Sequence, residues 1–271
     1  MSQEDFTQRK WAKIRVTREG PTVEVELHRP DARNALDAEI MAELTEIARL
    51  LRRRADVLAV ILAGGEQHFS AGADLAALPA RITAPTLLES REVIMAGPDL
   101  CEAWEQIEAI TIAAIEGYCL GGACALALAC DFRIMGAGAS LRLPEVPLGI
   151  NMSWRSVPRI TTLAGPSRAK RFVIFGEAVD AQTCVAWGMA DEAVEKGRAR
   201  GVAREWAAKV CALPPAPVRM TKEAVNAQAG MAHYASSFAD RDQYLLTSRS
   251  ADFREGVRAF FEKRKGAFKG D

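Results

Sequence analysis

The sequence predicts an α/β fold with parallel strand pairing, followed by a helical C-terminal region. Strand-like apolar runs alternate with helical segments over about the first 190 residues. Two of these runs, at 57–63 and 110–115, are apolar throughout, which is typical of strands covered on both faces. After about residue 197 the chain changes to alanine-rich, charge-patterned segments. Together these observations favour a parallel sheet with covering helices and little strand near the C-terminus.

The first two elements follow from two different periodicities. Residues 22–28 alternate apolar and polar side chains, which predicts a half-buried strand. Residues 37–51 have apolar side chains at helical spacing, and Asn34 or Asp37 is placed to cap the start of that helix.

The remaining elements of the core are shorter. The buried runs at 57–63 and 110–115 each end at glycine, and a helix is predicted to begin near Gly122. A short strand fits 132–135. The following GAGASL at 136–141 begins like a dinucleotide fingerprint but has leucine where the third glycine belongs, so it predicts a strand-to-strand turn.

Residues beyond 197 form several alanine-rich segments with helical charge patterning. Pro214, Pro215 and Pro217 separate the first two of these segments. The predicted organisation is therefore an α/β core over 1–197 and a helical oligomerisation region over 198–271.

Composition excludes several classes of partner. Lysine plus arginine equals aspartate plus glutamate at 35 each, so no global field attracts nucleic acid or an anionic membrane. The N-terminus is polar and no apolar run approaches the roughly 20 residues that cross a bilayer. The six cysteines form no C-x-x-C pair and the three histidines are widely separated, which favours reduced thiols and no metal site. The expectation is a cytoplasmic protein.

Two glycine-bearing segments carry the candidate chemistry. GGEQHFSAGADL at 64–75 and EGYCLGGACALAL at 116–128 each follow a predicted buried strand. Small residues in both allow the backbone to approach a ligand closely, and a helix beginning at Gly122 would direct unpaired N–H groups at it. Each segment alone is explained as a glycine turn before a helix; the pair suggests a site for developing negative charge.

Five ordered segments resemble the enoyl-CoA hydratase/isomerase (crotonase) family. HFSAGADL at 68–75, GYCLGGACALALACD at 117–131 and PEVPLGI at 144–150 are similar to its three main motifs. HRPDARNAL at 28–36 resembles a segment that contacts coenzyme A, and DFREGVRAFFEKRKGAF at 252–268 resembles the C-terminal helix. The resemblance implies a spiral of strand–strand–helix repeats, an acyl-CoA thioester substrate, and a homotrimer or homohexamer. It implies no cofactor beyond the coenzyme A of the substrate.

The resemblance also implies where the chemistry lies. Ala73 and Gly122 occupy the positions whose N–H groups form an oxyanion hole for the thioester oxygen. Glu145 fills the third-motif carboxylate position, whereas Ala125 stands where family hydratases carry a second glutamate. Hydration divides acid and base work between two carboxylates, while moving a double bond from position 3 to position 2 needs one proton shuttle.

An enoyl-CoA isomerase is therefore the simplest expectation. A hydratase using Glu145 alone or with a polar partner, another crotonase reaction (hydrolysis, decarboxylation, carbon–carbon cleavage) and a non-catalytic acyl-CoA binder stay open at this point. Burial of Glu145 in an apolar pocket would raise its pKa towards the useful range.

The substrate-binding residues are carried over from the resemblance. Arg33 and Lys263 match cationic positions near the phosphates, Phe260 matches an aromatic contact, and Asp74 and Leu75 match positions lining the coenzyme A groove. The full predicted set is Ala32, Arg33, Ala71, Asp74, Leu75, Ala76, Tyr118, Trp154, Phe260 and Lys263.

Two segments depart from the family pattern. NMSWRSVPR at 151–159 replaces a glycine-rich turn, so Trp154 is expected either to narrow the acyl pocket or to serve core packing, and its polar neighbours could contact a polar acyl group. The segment between Asp74 and Gly117, with Pro79, Pro85 and Gly97-Pro98, is expected to be a pocket-lining loop.

Overall fold

A computed structural model describes residues 6–74 and 86–271 of the chain. Nine strands lie within these ranges: β1 Ile14–Glu19, β2 Thr22–Leu27, β3 Ala59–Ala63, β4 Ile110–Ile115, β5 Tyr118–Leu120, β6 Phe132–Gly136, β7 Ser140–Arg142, β8 Val179–Asp180 and β9 Glu192–Val194. The helices of the described ranges are α1 Ala38–Leu51, α2 Leu87–Glu105, α3 Gly121–Leu128, α4 Ser156–Ala164, α5 Pro166–Phe175, α6 Ala181–Trp187, α7 Ala199–Cys211, α8 Pro215–Gly230, α9 His233–Ser237, α10 Asp240–Ser248 and α11 Ala251–Phe261.

The strands form two sheets. The larger has the order β1-β2-β3-β4-β6-β9, in which only the β1–β2 pair is antiparallel. The smaller has the order β5-β7-β8, with β5 and β7 parallel. The predicted parallel α/β core is confirmed. The segment at 136–141 is the predicted turn, because the Ala139 N–H donates to the Gly136 carbonyl at 2.9 Å between β6 and β7.

Strand β2 is more deeply buried than its alternating pattern predicts. Val23 and Val25 face the core, but Glu24 on the opposite face is only 6% exposed. Helix α7 covers that face, and its Arg200 and Arg204 form ion pairs with the Glu24 carboxylate. Alternation therefore identified the strand correctly but not the helix over its polar face.

Helix α1 begins where the sequence predicts. The Asp37 carboxylate accepts hydrogen bonds from the Glu39 and Ile40 N–H groups at 3.1 and 3.0 Å, so Asp37 is the N-cap. Asn34, the other candidate cap, has a different role described below.

The predicted loop between Asp74 and Gly117 is wrong over much of its length. Residues 87–105 form helix α2, which begins at a capping box between Thr86 and Glu89 and contains Gly97 and Pro98. The Gly-Pro pair, which usually ends a helix, lies in its interior. Pro79 and Pro85 lie outside the described residues.

The C-terminal region is helical, as predicted. Helix α7 packs its Ala199, Ala203 and Ala207 against the larger sheet, and α8–α11 follow. The division at residue 197 stays a prediction. Within the described ranges, no helix combines the length and apolar character needed to cross a membrane.

Candidate active site

Three backbone segments lie side by side close to the start of helix α3, which directly follows β5. A parallel bridge joins Leu36 to Ala73, and another joins Ser70 to Cys119. Hydrogen bonds extend both pairings, including Leu36 N–H to Gly72 O at 2.8 Å and Leu120 N–H to Ser70 O at 3.1 Å. The first and second motifs are thus adjacent in space.

Ala73 and Gly122 lie on adjacent segments. Ser70 pairs with Cys119 in a parallel sense, and the Gly72 backbone lies against Leu120 and Gly121, so the residues that follow, Ala73 and Gly122, continue these two neighbouring segments. Gly72 permits this approach: its φ is +83°, and a β-carbon there would lie 2.5 Å from the Leu120 carbonyl oxygen. No larger residue fits at Gly72 without separating the two segments.

Two buried polar side chains hold the first motif in place. The Asn34 amide donates to the Phe69 carbonyl at 3.1 Å and accepts from the Arg29 N–H at 2.9 Å. The Ser70 hydroxyl donates to the Asn34 carbonyl at 2.6 Å and accepts from the Gly72 N–H at 3.1 Å. Asn34 is therefore a scaffold residue of the site rather than a helix cap.

The Ala73 and Gly122 N–H groups are available for a ligand. Helix α3 begins at Gly121, and the first N–H groups of a helix have no acceptor within it. No hydrogen bond among residues 6–74 and 86–271 uses either the Ala73 or the Gly122 N–H. These two donors, together with the positive end of the helix dipole, favour an oxygen that gains negative charge.

Glu145 lies against the start of helix α3. A β-carbon on Gly121 would lie 2.7 Å from its Oε1 atom, and Oε2 is buried without a hydrogen-bond partner among the described residues. Desolvation raises the pKa of Glu145 from 4.5 to about 7, although a backbone hydrogen bond and the charge of Arg142 act in the opposite direction. A carboxyl group with this pKa can accept and return a proton near neutral pH.

The loop that carries Glu145 is supported by the C-terminal helix. Glu145 precedes a short 3-10 turn, and its carbonyl accepts the Ile150 N–H at 3.1 Å. Gly256 of helix α11 packs directly on the Leu148 carbonyl, with no room for a β-carbon. The region beyond residue 197 thus contacts the loop of the candidate acid–base residue.

Trp154 packs beside the Gly122 backbone. A β-carbon on Gly122 would lie 2.5 Å from its ring, and one on Gly97 of helix α2 would lie 2.6 Å from ring atom Cδ2. Trp154 as a whole is only 8% exposed. It therefore occupies the gap between α2 and α3, next to one of the two N–H groups.

A stacked pair lies beside the first motif. The rings of His68 and Tyr118 are 5.1 Å apart and nearly parallel, at 8°. Burial, and then the charge of Arg33, lower the pKa of His68. The structure thus places Tyr118 and Arg33 close to the strands that carry the N–H groups. His68 was not among the predicted site residues, although it lies inside the first motif.

The other predicted substrate-binding residues that the structure describes are spread over a wider area around Ala73, Gly122 and Glu145. Asp74 pairs with Arg29 at 2.8 Å, and Ala71 donates its N–H to the Arg33 carbonyl next to Ala32. Phe260 and Lys263, at the end of α11, are exposed, and no described contact joins them to Ala73, Gly122 or Glu145. Leu75 and Ala76 lie outside the described residues.

The second motif has no carboxylate at the position where family hydratases carry their second glutamate. Ala125 is fully buried within α3, and its methyl group has no acidic proton to transfer. In the described part of the chain, no three histidine, cysteine or acidic side chains converge as metal ligands.

Comparison with models of protein families identifies the family of the chain. Residues 17–271 match the family model described as enoyl-CoA hydratase/isomerase. The chain belongs to the enoyl-CoA hydratase/isomerase family. This enoyl-CoA hydratase/isomerase family member is 30% identical over 249 residues to the short-chain-enoyl-CoA hydratase of Clostridium acetobutylicum, covering 92% of this chain and 94% of that protein. It is 35% identical over 247 residues to YngF of Bacillus subtilis, a putative enoyl-CoA hydratase/isomerase, covering 91% and 94%.

The fold of this family member agrees with solved structures. An enoyl-CoA hydratase from Mycobacterium avium subsp. paratuberculosis K-10 superposes with a TM-score of 0.85 at 22% identity, covering 96% of this chain and 100% of that one. The predicted crotonase fold is confirmed, and the chain is an acyl-CoA-processing member of the family.

Proposed function

We propose that this protein moves the double bond of an enoyl-CoA from position 3 to position 2. The observation that carries the proposal is the buried carboxyl of Glu145 beside the first residue of α3, with Ala125 at the position of a second glutamate. One carboxylate with a pKa near 7 is suited to a proton shuttle.

The reaction needs two proton transfers on one side of the substrate. The ionised Glu145 removes a proton from C2 of a 3-enoyl thioester, and the electron pair of that C–H bond passes through C1 to the thioester oxygen. The resulting dienolate carries its charge on that oxygen, which accepts hydrogen bonds from Ala73 and Gly122. The protonated Glu145 then gives the same proton to C4, leaving a double bond between C2 and C3.

The two N–H groups make the first transfer feasible. A carboxylate is too weak a base for a thioester α-proton unless the enolate oxygen is stabilised. One oxyanion-hole donor typically lowers the barrier by about 2.7–4 kcal/mol. Both donors are backbone groups on segments joined by the Ser70–Cys119 pairing, which supports a site that needs no rearrangement during the reaction.

Hydration is the second candidate. It is supported by the names of relatives such as the short-chain-enoyl-CoA hydratase of Clostridium acetobutylicum. In that case Glu145 would activate water and also supply the proton for C2, because Ala125 cannot.

Supplying purified protein with 2-enoyl-CoA and 3-enoyl-CoA separately distinguishes the two reactions. Isomerisation raises the conjugated-enoyl absorbance of the 3-enoyl substrate at constant mass. Hydration lowers the absorbance of the 2-enoyl substrate and adds the mass of one water. Full activity of Glu145→Gln in the isomerase assay would contradict the proposed mechanism, whereas saturable binding without turnover would favour a binding protein.

We also propose that the working form is a homotrimer or a homohexamer. Residues 215–248, which contain helices α8–α10, expose large apolar side chains that another copy could cover, namely Met220, Val225, Met231, Tyr234, Phe238 and Leu246. In such an assembly Phe260 and Lys263 of one copy would complete the coenzyme A site of another. Light scattering during size-exclusion chromatography checks this, and a monomer at micromolar concentration would contradict it.

The proposed reaction needs no cofactor beyond the coenzyme A of the substrate. A cytoplasmic location completes the proposal. It is supported by the five buried and one partly buried cysteine, all unpaired. Retention of activity after treatment with a metal chelator checks the first point.

A further inference from the structure

The position of the Trp154 indole has a consequence for the substrate. Its ring meets helix α2 at Gly97 and helix α3 at Gly122, and a β-carbon at either glycine would overlap it. Two glycines on separate helices thus form a slot that an indole fills. Trp154 is 8% exposed, so the slot leaves little of the ring in solvent.

The backbone around the indole is held from several directions. Trp154 and Arg155 both adopt the left-handed conformation, with φ of 65° and 51°. Asp240 accepts the Arg155 N–H at 3.1 Å, and Arg159 donates to the carbonyls of Trp154 and Arg155 at 3.3 and 2.9 Å. Arg159 is in turn paired with Glu105 of helix α2 at 2.7 Å. These contacts fix the indole in a conformation that is unusual for its residue type.

The indole and the carboxylate flank the same peptide unit. Glu145 lies against Gly121, and Trp154 lies against Gly122. A thioester oxygen bound by the Gly122 N–H therefore places the first acyl carbons between these two side chains. Carbons further along the acyl group that run between α2 and α3 meet the indole instead of open space.

We propose that Trp154 is a specificity-determining residue that closes the acyl pocket and restricts the substrate to short acyl groups. This inference rests on the proposed function, because it places the thioester oxygen at the Ala73 and Gly122 N–H groups. It excludes a purely structural role for the indole, which would leave chain-length preference unchanged.

The test compares the wild type with Trp154→Ala on three substrates: but-3-enoyl-CoA, hex-3-enoyl-CoA and dec-3-enoyl-CoA. Wild-type kcat/KM should fall by about tenfold or more from the shortest to the longest substrate, since a single misfitting methylene can change selectivity by about 10–200-fold. Trp154→Ala should raise the ratio of long-chain to short-chain kcat/KM by at least about tenfold.

Two further variants keep the result interpretable. Trp187→Ala removes a partly exposed indole outside the site, next to Arg171, and should keep the wild-type profile. Trp154→Phe keeps an aromatic ring in the slot and serves as the test if Trp154→Ala does not fold. Its chain-length preference should shift towards longer substrates, but less than that expected for Trp154→Ala. An unchanged profile in both Trp154 variants, or a wild-type preference for the decenoyl substrate, overturns the inference.

A binding measurement separates failure of this inference from failure of the proposed reaction. Calorimetric titration with butyryl-CoA and decanoyl-CoA needs no turnover. If wild-type protein isomerises none of the thioesters, the proposed function fails, and the change in the butyryl-to-decanoyl affinity ratio on Trp154→Phe still decides the role of Trp154. Equal ratios in wild type and variant overturn it.

Discussion

The Oε1 atom of Glu145 lies 2.7 Å from the place where a β-carbon of Gly121 would be. The carboxylate therefore lies against the backbone one residue before the Gly122 N–H, so the proposed base and the proposed oxyanion donor are neighbours in space. A helix N-terminus favours a carboxylate, and Arg142 adds positive charge, yet the pKa of Glu145 is raised to about 7. Burial outweighs both effects because Oε2 has no described hydrogen-bond donor.

Activity should follow the ionisation of Glu145. Below about pH 7, kcat/KM for isomerisation should fall by about tenfold per pH unit, because only the carboxylate form removes the C2 proton. Glu145→Gln should lower kcat by about 10²–10⁴-fold. Initial rates across a pH series check both points. A profile that is flat between about pH 5 and 8 would show that another group is the base.

The free energy of unfolding should depend on the same carboxyl, but it should fall with rising pH whereas activity rises. Its folded-state pKa of about 7 exceeds its ordinary value of 4.5, so the folded protein holds a proton that the unfolded chain has lost. Wild-type stability should therefore fall as pH rises from about 4.5 to 7, by an amount on the order of 3 kcal/mol. Glu145→Gln should lack this loss.

Urea unfolding of both proteins at acidic and mildly alkaline pH measures that difference. The quantity to compare is the change with pH rather than the absolute free energy, because the glutamine amide is also left without partners. If the free energy of unfolding changed equally with pH in the two proteins, the raised pKa could not be assigned to Glu145.

The close packing of the first-motif backbone against the second-motif backbone should depend on Gly72. A β-carbon there would meet the Leu120 carbonyl oxygen at 2.5 Å, so Gly72→Ala should push Ala73 away from Gly122. We expect kcat to fall by about a hundredfold, as small misplacements of reacting groups do.

Gly138→Ala is the matched control for that variant. Gly138 has a similar φ of +86°, and a β-carbon there would meet nothing within 4 Å. Both variants should lose about 1–2 kcal/mol of stability from the left-handed backbone. Only Gly72→Ala should also lose activity, and equal kcat values in the two variants would contradict the role of the close approach.

Asp240 should make a second contribution to the pH dependence of stability. Burial raises its pKa to about 6, above its ordinary value of 3.8, although the Arg155 N–H and the charges of Arg155 and Arg159 lower it. Wild-type stability should thus fall between about pH 4 and 6, and Asp240→Asn should remove about 1–2 kcal/mol of that fall. Thermal unfolding across this range checks the prediction; an unchanged slope contradicts it.

Local patterns predicted the local parts of this structure. Apolar runs located β3 and β4, and the position of Asp37 before a helical periodicity identified the cap of α1. The proposed oxyanion-hole residues, Ala73 and Gly122, were identified through motif resemblance. Their juxtaposition depends on the pairing of Ser70 with Cys119, which no local pattern contains.

The errors have the same physical origin. Gly97 and Pro98 disfavour a helix locally, but α2 packs against α1 and α3, and the glycine gives room for the Trp154 ring. The polar face of β2 reads as solvent-exposed because its partners, Arg200 and Arg204, come from a distant helix. Tertiary contacts of this kind determine the environment of a residue, and the residues next to it in sequence do not reveal them.

The placement of Trp154 also gives the protein an intrinsic optical probe. Trp154 is 8% exposed and its ring lies against the Gly122 backbone, so its fluorescence should change when a conjugated thioester binds beside it. The chain has four other tryptophans, so the difference between wild type and Trp154→Phe isolates this signal. Occupancy of the site could then be followed in real time, in variants that no longer turn over.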